Sequence, residues 1–257
     1  MLSIDLSGRV ALVVGGSRGI GAGITEALCS AGACTVFTHT GNAAYRDGIE
    51  ALLCGIREKG GSAEAAAVDA RDPDATTALV NRIVAERGKL DTLVSNAGRN
   101  TAMPAGQVSD SQWRDGLDIN LGSAFYAVRA VLPRMLANRF GRIVLIGSSA
   151  AYDGGGGAID YAAAKAGLDG MMLYLARNYA RRGILANVIH PCVIDTDLLR
   201  ERYSDETKRK DLTAQIPAGR LGQPRDIAGL VAYLVSSWGD YICGQSILVD
   251  GGRTLFR

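Results

Sequence analysis

Tyr161 and Lys165 stand four residues apart in the run Tyr-Ala-Ala-Ala-Lys, and Ser148 lies thirteen residues before the tyrosine. On a helix that spacing puts phenol and ammonium on one face. A fixed neighbouring cation favours phenolate over phenol and lowers a tyrosine pKa that is otherwise ~10. The hydroxyl then serves as proton donor and acceptor near neutral pH. A serine hydroxyl at the same place can donate a hydrogen bond to a carbonyl oxygen while the phenol supplies the proton. No Cys or His is placed to act as a nucleophile beside Ser148, so a hydrolase triad lacks support. Singly, each residue has an ordinary explanation: a buried aromatic, a surface lysine, a strand-end turn. Their weight comes from what surrounds them.

Seven short apolar runs, at 10–14, 35–38, 63–68, 90–95, 142–147, 185–190 and 246–249, alternate with longer amphipathic stretches. Most are continuously apolar, as expected of parallel strands covered on both faces. The helical stretches carry start signals: Asp72-Pro73, a capping box from Ser109 to Gln112 ahead of a long segment through Trp113, Leu117 and Phe125, and Gln223-Pro224. The alternation predicts an α/β fold, one doubly wound Rossmann-type domain over residues 1–257 with a mostly parallel seven-stranded sheet. Ligands of such sheets bind beyond the carboxyl ends of the strands. Four features fall there: a glycine loop after the first strand, Asn96-Ala97-Gly98 after the fourth, Ser148 after the fifth and Pro191 after the sixth.

The glycine loop reads Gly15-Gly16-Ser17-Arg18-Gly19-Ile20-Gly21 between a strand and a helix. Glycines permit the tight turn and the close approach of a phosphate, and the helix N-terminus supplies free N–H groups. The spacing G-x-x-x-G-x-G differs from the commoner G-x-G-x-x-G, but its strand–helix context points to a dinucleotide. The second strand ends Thr38-His39-Thr40, with no acid to hold a ribose 2′-hydroxyl. Arg18 can instead pair with a 2′-phosphate. NADP(H) is therefore favoured over NAD(H), which stays open, and His39 would lie at that end of the cofactor. Asp69 closes the third strand where an adenine amino group would reach it, with a turn-forming role as the plainer account.

Composition narrows the field. The chain has 257 residues, 47% hydrophobic, with a net charge of +2. That charge gives no case for nucleic acid or an anionic membrane as partner. The start, MLSIDLSGRV, lacks the basic-then-apolar pattern of a signal peptide, and no apolar run approaches the ~18 residues of a spanning helix. Five scattered cysteines and two histidines suggest neither a disulfide framework nor a metal site. A cytoplasmic location is expected.

These residues together resemble the short-chain dehydrogenase/reductase family, in its single-domain branch, over essentially the whole chain. The resemblance rests on the glycine loop, Asp69, Asn96-Ala97-Gly98, Asn120 in DINLGSAFY, Ser148, Tyr161, Lys165, Pro191 with Thr196, and the closing YICGQSILVDGG. It implies that Asn120, Ser148, Tyr161 and Lys165 form a catalytic tetrad, with Asn120 helping to hold a proton-relaying water toward Lys165. It further implies that Gly15, Ser17, Arg18, Gly19, Ile20, Gly21, His39, Asp69, Ala70, Asn96, Ala97 and Gly98 meet the dinucleotide. Tyr161 and Lys165 would reach its ribose, and Pro191, Val193, Ile194 and Thr196 would flank its nicotinamide. Family members are usually tetramers that pair the Tyr161 helix and the helix before it, which implies a homotetramer here; the apolar and small residues Ala162, Ala166, Leu168, Met171 and Met172 fit such pairing and fit ordinary core packing equally.

Four positions depart from the family pattern. Val14 stands where a Thr usually precedes the first glycine, Ser95 where an Asn is usual, Cys192 where a glycine follows Pro191, and Cys243 where a Thr is usual. Cys192 lies nearest the expected nicotinamide, where a small side chain that simply fits is the plainer account.

Within the family the chain looks most like bacterial 3-oxoacyl-[acyl-carrier-protein] reductases, notably in IPAGRLGQPRDIAGLVAYLVSS and in Arg139 and Arg182. The expected activity is interconversion of a ketone and a secondary alcohol, with a small carbonyl or alcohol substrate, free or carrier-bound. A sugar, polyol or other secondary-alcohol dehydrogenase is the alternative, and a non-catalytic dinucleotide-binding regulator the remote one. A charged helical lid over 195–220 would close on the substrate.

Overall fold

The computed structural model describes residues 3–254. In chain order the elements begin with β1 (Val10–Val14), α1 (Gly19–Ser30), β2 (Cys34–His39), α2 (Arg46–Glu58), β3 (Ser62–Ala67) and α3 (Pro73–Arg87). They continue with β4 (Thr92–Ser95), α4 (Asp110–Leu117), α5 (Ser123–Asn138), β5 (Gly141–Ile146), α6 (Ala150–Asp153) and α7 (Ile159–Tyr179). The chain then forms β6 (Ile184–Pro191), α8 (Asp197–Arg202), α9 (Glu206–Ala214), α10 (Pro224–Val235) and β7 (Ser246–Val249). All seven strands lie in one sheet of order β3-β2-β1-β4-β5-β6-β7, and every pairing is parallel. The expected sheet is thus present, wholly parallel where a mostly parallel one was expected.

The central strands contribute alternate side chains to two cores, the period-2 consequence of the pleat. Val10, Leu12 and Val14 join Ile83 of α3, Val131 of α5 and Leu168 and Met172 of α7 on one side. Ala11 and Val13 join Ile24 of α1, Leu52 of α2 and Val231 of α10 on the other. Continuous apolar strands are therefore what a sheet sandwiched between two helical layers requires.

The chain reverses direction across the sheet between β1 and β4, which opens a crevice at their carboxyl ends. Val14 pairs with Ser95 there, so the loops that follow both strands start side by side.

Two elements differ locally from expectation. The strand expected at 90–95 opens at Thr92, one residue after Asp91, whose backbone still bonds both neighbours (its N–H to Val10 O, its carbonyl from the Arg142 N–H, 2.9 Å each) while its buried carboxylate accepts the Val10 N–H (2.9 Å) and meets Lys89 (3.3 Å) and Arg9 (3.8 Å). The long helix expected after Ser109 starts on its capping box, with Gln112 N–H to Ser109 Oγ (3.2 Å) and Ser109 N–H to Gln112 Oε1 (2.9 Å). It then widens into a π-helical turn at Asp118–Gly122 before α5. Such turns recur at functional sites because they re-aim a side chain, and this one carries Asn120. Among the described residues, no helix is long and apolar enough to cross a membrane and no cluster of His, Cys, Asp or Glu is fit to hold a metal.

Leu145, fully buried in β5, tests the core beneath the site. Leu145→Ala should lower unfolding free energy by about 2–5 kcal/mol in denaturant titrations; a loss within about 0.5 kcal/mol, typical of surface substitutions, would contradict this packing.

Candidate active site

The glycine loop turns because residues without side chains stand where there is no room for one. Gly15 has φ +75°, and a Cβ on it would sit 2.9 Å from the backbone of Ala97. A Cβ on Gly21 would collide with the Gly15 carbonyl and come within 2.7 Å of Asn96 Nδ2. That same amide donates to Gly15 O at 2.7 Å, locking the β1 and β4 loops together. The N-cap of α1 is Arg18, whose side chain makes no capping bond, so the first turn presents unpaired N–H groups toward the crevice. These are the fittings of a phosphate cradle. Sequence reasoning missed two supports. Thr38 Oγ1 accepts the Gly15 N–H (2.9 Å), and Thr25 Oγ1 donates to Gly16 O (3.1 Å) and Gly21 O (3.0 Å). Val14 therefore leaves the loop no less tied, since β2 supplies a hydroxyl.

Arg18 turns toward the end of β2, its guanidinium carbon 4.4 Å from the centre of the Tyr45 ring. The stack holds the cation where β2 ends without an acid. His39 folds back on the turn, its Nδ1 accepting the Gly41 N–H at 3.1 Å. Asp69 is gripped by Arg71 through both oxygens (2.7 and 3.1 Å), which holds its carboxyl below the usual range. Arg71 also reaches Asp115 (2.8 Å), which is paired in turn with Arg99. Any adenine amino group would meet Asp69 as a carboxylate already fixed in place. Ala70, beside it, is buried.

Lys165 is buried at 4% exposure, and its ammonium donates to Ile146 O at 2.8 Å. It lies 5.7 Å from the Tyr161 ring centre, one helical turn along α7. Burial lowers its pKa to about 8. Asn120 is also buried. Its Oδ1 accepts the Arg99 N–H (3.0 Å), while its Nδ2 donates to Arg99 O (2.8 Å) and Gly116 O (2.9 Å). A Cβ on Gly98 would stand 2.7 Å from Asn120 Oδ1 and 3.3 Å from Lys165 Nζ, so both groups converge on the space this glycine leaves open. Ser148 follows β5 after a single glycine, Gly147, and its Oγ accepts the Ala150 N–H at 3.2 Å.

Pro191 ends β6 and accepts the Ser149 N–H at 2.9 Å. Cys192 turns its sulfur away to Ser149 Oγ (3.1 Å) and Arg253 Nη1 (3.3 Å). Ile194 bridges to Gly222, and Thr196 caps α8 with its Cγ2 only 3.2 Å from where a Gly19 Cβ would stand. The segment that opens α8 thus comes close to the glycine loop. Several cations of α8 and α9 are already paired. Arg200 forks onto Asp195 (2.9 and 3.1 Å), Lys210 meets Glu206 (3.3 Å) and Arg209 donates to Tyr203 O (3.0 Å).

The buried lysine makes a prediction with a definite sign. Its folded pKa of about 8 lies below the ordinary 10.5, so the unfolded chain binds more protons between those values. Stability from this group therefore rises as pH climbs from 8 to 10.5, and its full cost is borne below pH 8. Lys165→Met should abolish turnover, be at least as stable at pH 7 without cofactor, and lose that rise; denaturant titrations of both proteins across this range check it. A steeper rise in the variant would refute the assignment.

Comparisons with known proteins place the chain among its relatives. A family model described as enoyl-(acyl carrier protein) reductase matches residues 14–254. The 3-oxoacyl-[acyl-carrier-protein] reductase FabG of Escherichia coli is 39% identical, over 97% of this chain and 98% of its own. That of Haemophilus influenzae is 38% identical, over 97% and 100%. A protein from Beutenbergia cavernae described as an NAD(P)-dependent gluconate 5-dehydrogenase, with NADP bound, superimposes with a TM-score of 0.91 at 34% identity, covering 99% of this chain and 100% of its own. A Sinorhizobium meliloti protein described as a short-chain alcohol dehydrogenase does so at 0.91 and 35%, covering 99% of each. With the glycine cradle, the buried lysine and the tyrosine one turn before it at the same strand ends, the chain belongs to the short-chain dehydrogenase/reductase family.

Proposed function

We propose that this protein is an NADPH-dependent reductase that converts the ketone of a 3-oxoacyl thioester into a secondary alcohol. The observation that carries the reading is the Lys165 ammonium, fixed on Ile146 O beside Tyr161 at the strand ends that also form the glycine cradle. When bound, the dinucleotide supplies a hydride. The residues supply everything else.

Tyr161 gives a proton to the carbonyl oxygen as it gains negative charge. Ser148 donates a hydrogen bond to the same oxygen and polarises the carbonyl. The Lys165 ammonium lowers the cost of the phenolate that Tyr161 becomes, and a ribose hydroxyl would be within its reach. Asn120 stands where it can keep a proton path open toward Lys165 through the gap at Gly98. The free N–H groups at Gly19–Gly21 would hold the pyrophosphate and Arg18 a 2′-phosphate.

Carrier-bound substrate is favoured because the 3-oxoacyl-[acyl-carrier-protein] reductases match this chain along nearly its whole length. Arg139 and Arg182 precede β5 and β6. Within one chain they therefore lie at the amino ends of strands, across the sheet from Ser148. The alternative, a sugar or polyol dehydrogenase, draws on the neighbour described as a gluconate dehydrogenase.

The chain is read as one catalytic domain and as a homotetramer. Leu168 and Met172 belong to its own core, while Phe125 of α5 and Leu173 and Tyr174 of α7 are half-exposed or more and suit helix pairing.

NADPH consumption with acetoacetyl-CoA, set against a panel of sugars and polyols with NAD(P)+, separates the readings; turnover of the panel alone would sink the thioester assignment. Tyr161→Phe should keep NADPH affinity and lose activity by about 100-fold or more, and near-normal turnover would remove Tyr161 as the acid. Arg18→Ala should raise the KM for NADPH by about 10-fold while leaving that for NADH alone. Equal effects on the two would remove the 2′-phosphate role.

A further inference from the structure

α7 carries a third polar residue in step with the catalytic pair. Asp169 follows Lys165 by one helical turn, as Lys165 follows Tyr161. Its Oδ1 lies 3.0 Å from Nε2 of His190, a fully buried residue of β6 that no part of the mechanism above uses. At the other edge of that ring, Nδ1 lies 3.1 Å from the backbone nitrogen of Ser148 and 2.9 Å from its carbonyl oxygen. A proton on Nε2, donated to the Asp169 carboxylate, leaves the Nδ1 lone pair for the Ser148 N–H. The neighbouring residues are tied to the same strand by backbone alone, Gly147 N–H to Ile189 O (2.7 Å) and Ser149 N–H to Pro191 O (2.9 Å).

Two independent features show that the ring is built in. A Cβ on Gly147 would collide with His190 Nδ1, so the residue before Ser148 is a glycine that lets the imidazole close on the strand end. Asp169 is itself oriented from behind. Ser246 Oγ donates to its Oδ1 (2.7 Å), and the Tyr152 hydroxyl bonds Ser246 Oγ. The Tyr152 ring meets the imidazole edge-on, 5.1 Å between centres at 85°. Tyr152 lies on α6, the helix that follows Ser148, so the chain is held on both sides of the serine.

We propose that His190 is a positioning residue for Ser148. Asp169 fixes the imidazole, the imidazole grips the Ser148 peptide, and the serine hydroxyl is thereby aimed at the substrate carbonyl. The proposal rests on the reading of Ser148 as the group that polarises that carbonyl, since sub-ångström placement of such a donor is worth large factors in rate.

A double-mutant cycle tests it, with NADPH and acetoacetyl-CoA or the panel ketone turned over fastest. His190→Ala should lower kcat by about 100-fold with the KM for NADPH unchanged, and should cost almost nothing further in a Ser148→Ala background. His190→Asn, which keeps an acceptor for the Ser148 N–H, should recover much of the loss. Full additivity of the two alanine changes, or no rescue by Asn, would overturn the proposal. If His190→Ala does not fold, Asp169→Ala takes its place in the cycle with the same outcomes.

Should Ser148→Ala alone keep full turnover, the catalytic reading of Ser148 falls. Amide hydrogen exchange then decides the positioning claim: faster exchange at Ser148 in the His190 or Asp169 variant upholds it, and unchanged exchange overturns it.

Discussion

An ammonium held out of water is the constraint on which the rest of this molecule depends. Taking such an ion from water costs several kcal/mol unless its donors are met, and Lys165 has a backbone carbonyl at the end of β5 as its partner. Everything at the site is arranged around that one bond. β5 must end at Ile146 with its carbonyl turned toward α7, and α7 must bring Tyr161 alongside one turn earlier. A cation kept dry acts on its neighbours through a medium of low dielectric, where its field is far stronger than at a surface. The burial that makes the lysine costly to fold also makes it useful.

Crossover topology explains why so many loops converge. In a parallel sheet each strand points the same way, so the segments leaving β1, β4, β5 and β6 all emerge at one edge. Close approaches then knit them together: Gly15 against Ala97 and Gly21 against Asn96 leave no room for a side chain, and Thr196 stands near Gly19. The loops after β5 and β6 are tied in turn by the Ser149 N–H on Pro191 O, and α8 and α9 continue from the β6 loop with Arg200 and Lys210 paired to neighbouring carboxylates.

Much of this was legible in the sequence. Continuous apolar strands, capped helices and a glycine loop flanked by strand and helix specify the layered sheet, because each signal is local and each has a single structural solution. The Tyr161–Lys165 spacing pointed to proton chemistry, and the absence of an acid at 38–40 pointed to a 2′-phosphorylated cofactor. What escaped was contact across the sheet. Thr38 supporting Gly15, Thr25 bracing the loop and Tyr45 beneath Arg18 are ordinary residues until the fold brings them together. His190 was visible as one of two histidines, yet only the register of β6 beside β5 places it against Ser148. Its one available signal was Asp169, which continues the Tyr161–Lys165 stride by another turn. The π-helical widening at Asn120 left no trace in local pattern, since it answers to the backbone of Arg99 and Gly116.

Gly98 stands at a junction. The space its missing side chain leaves open lies beside Asn120 Oδ1 and Lys165 Nζ, and its neighbour in the chain is Ala97, the residue against which Gly15 packs. A methyl group at position 98 would therefore press at once on the buried lysine and on the loop that braces the glycine turn. The two halves of the site are bound by one shared steric constraint, and neither is free to change alone.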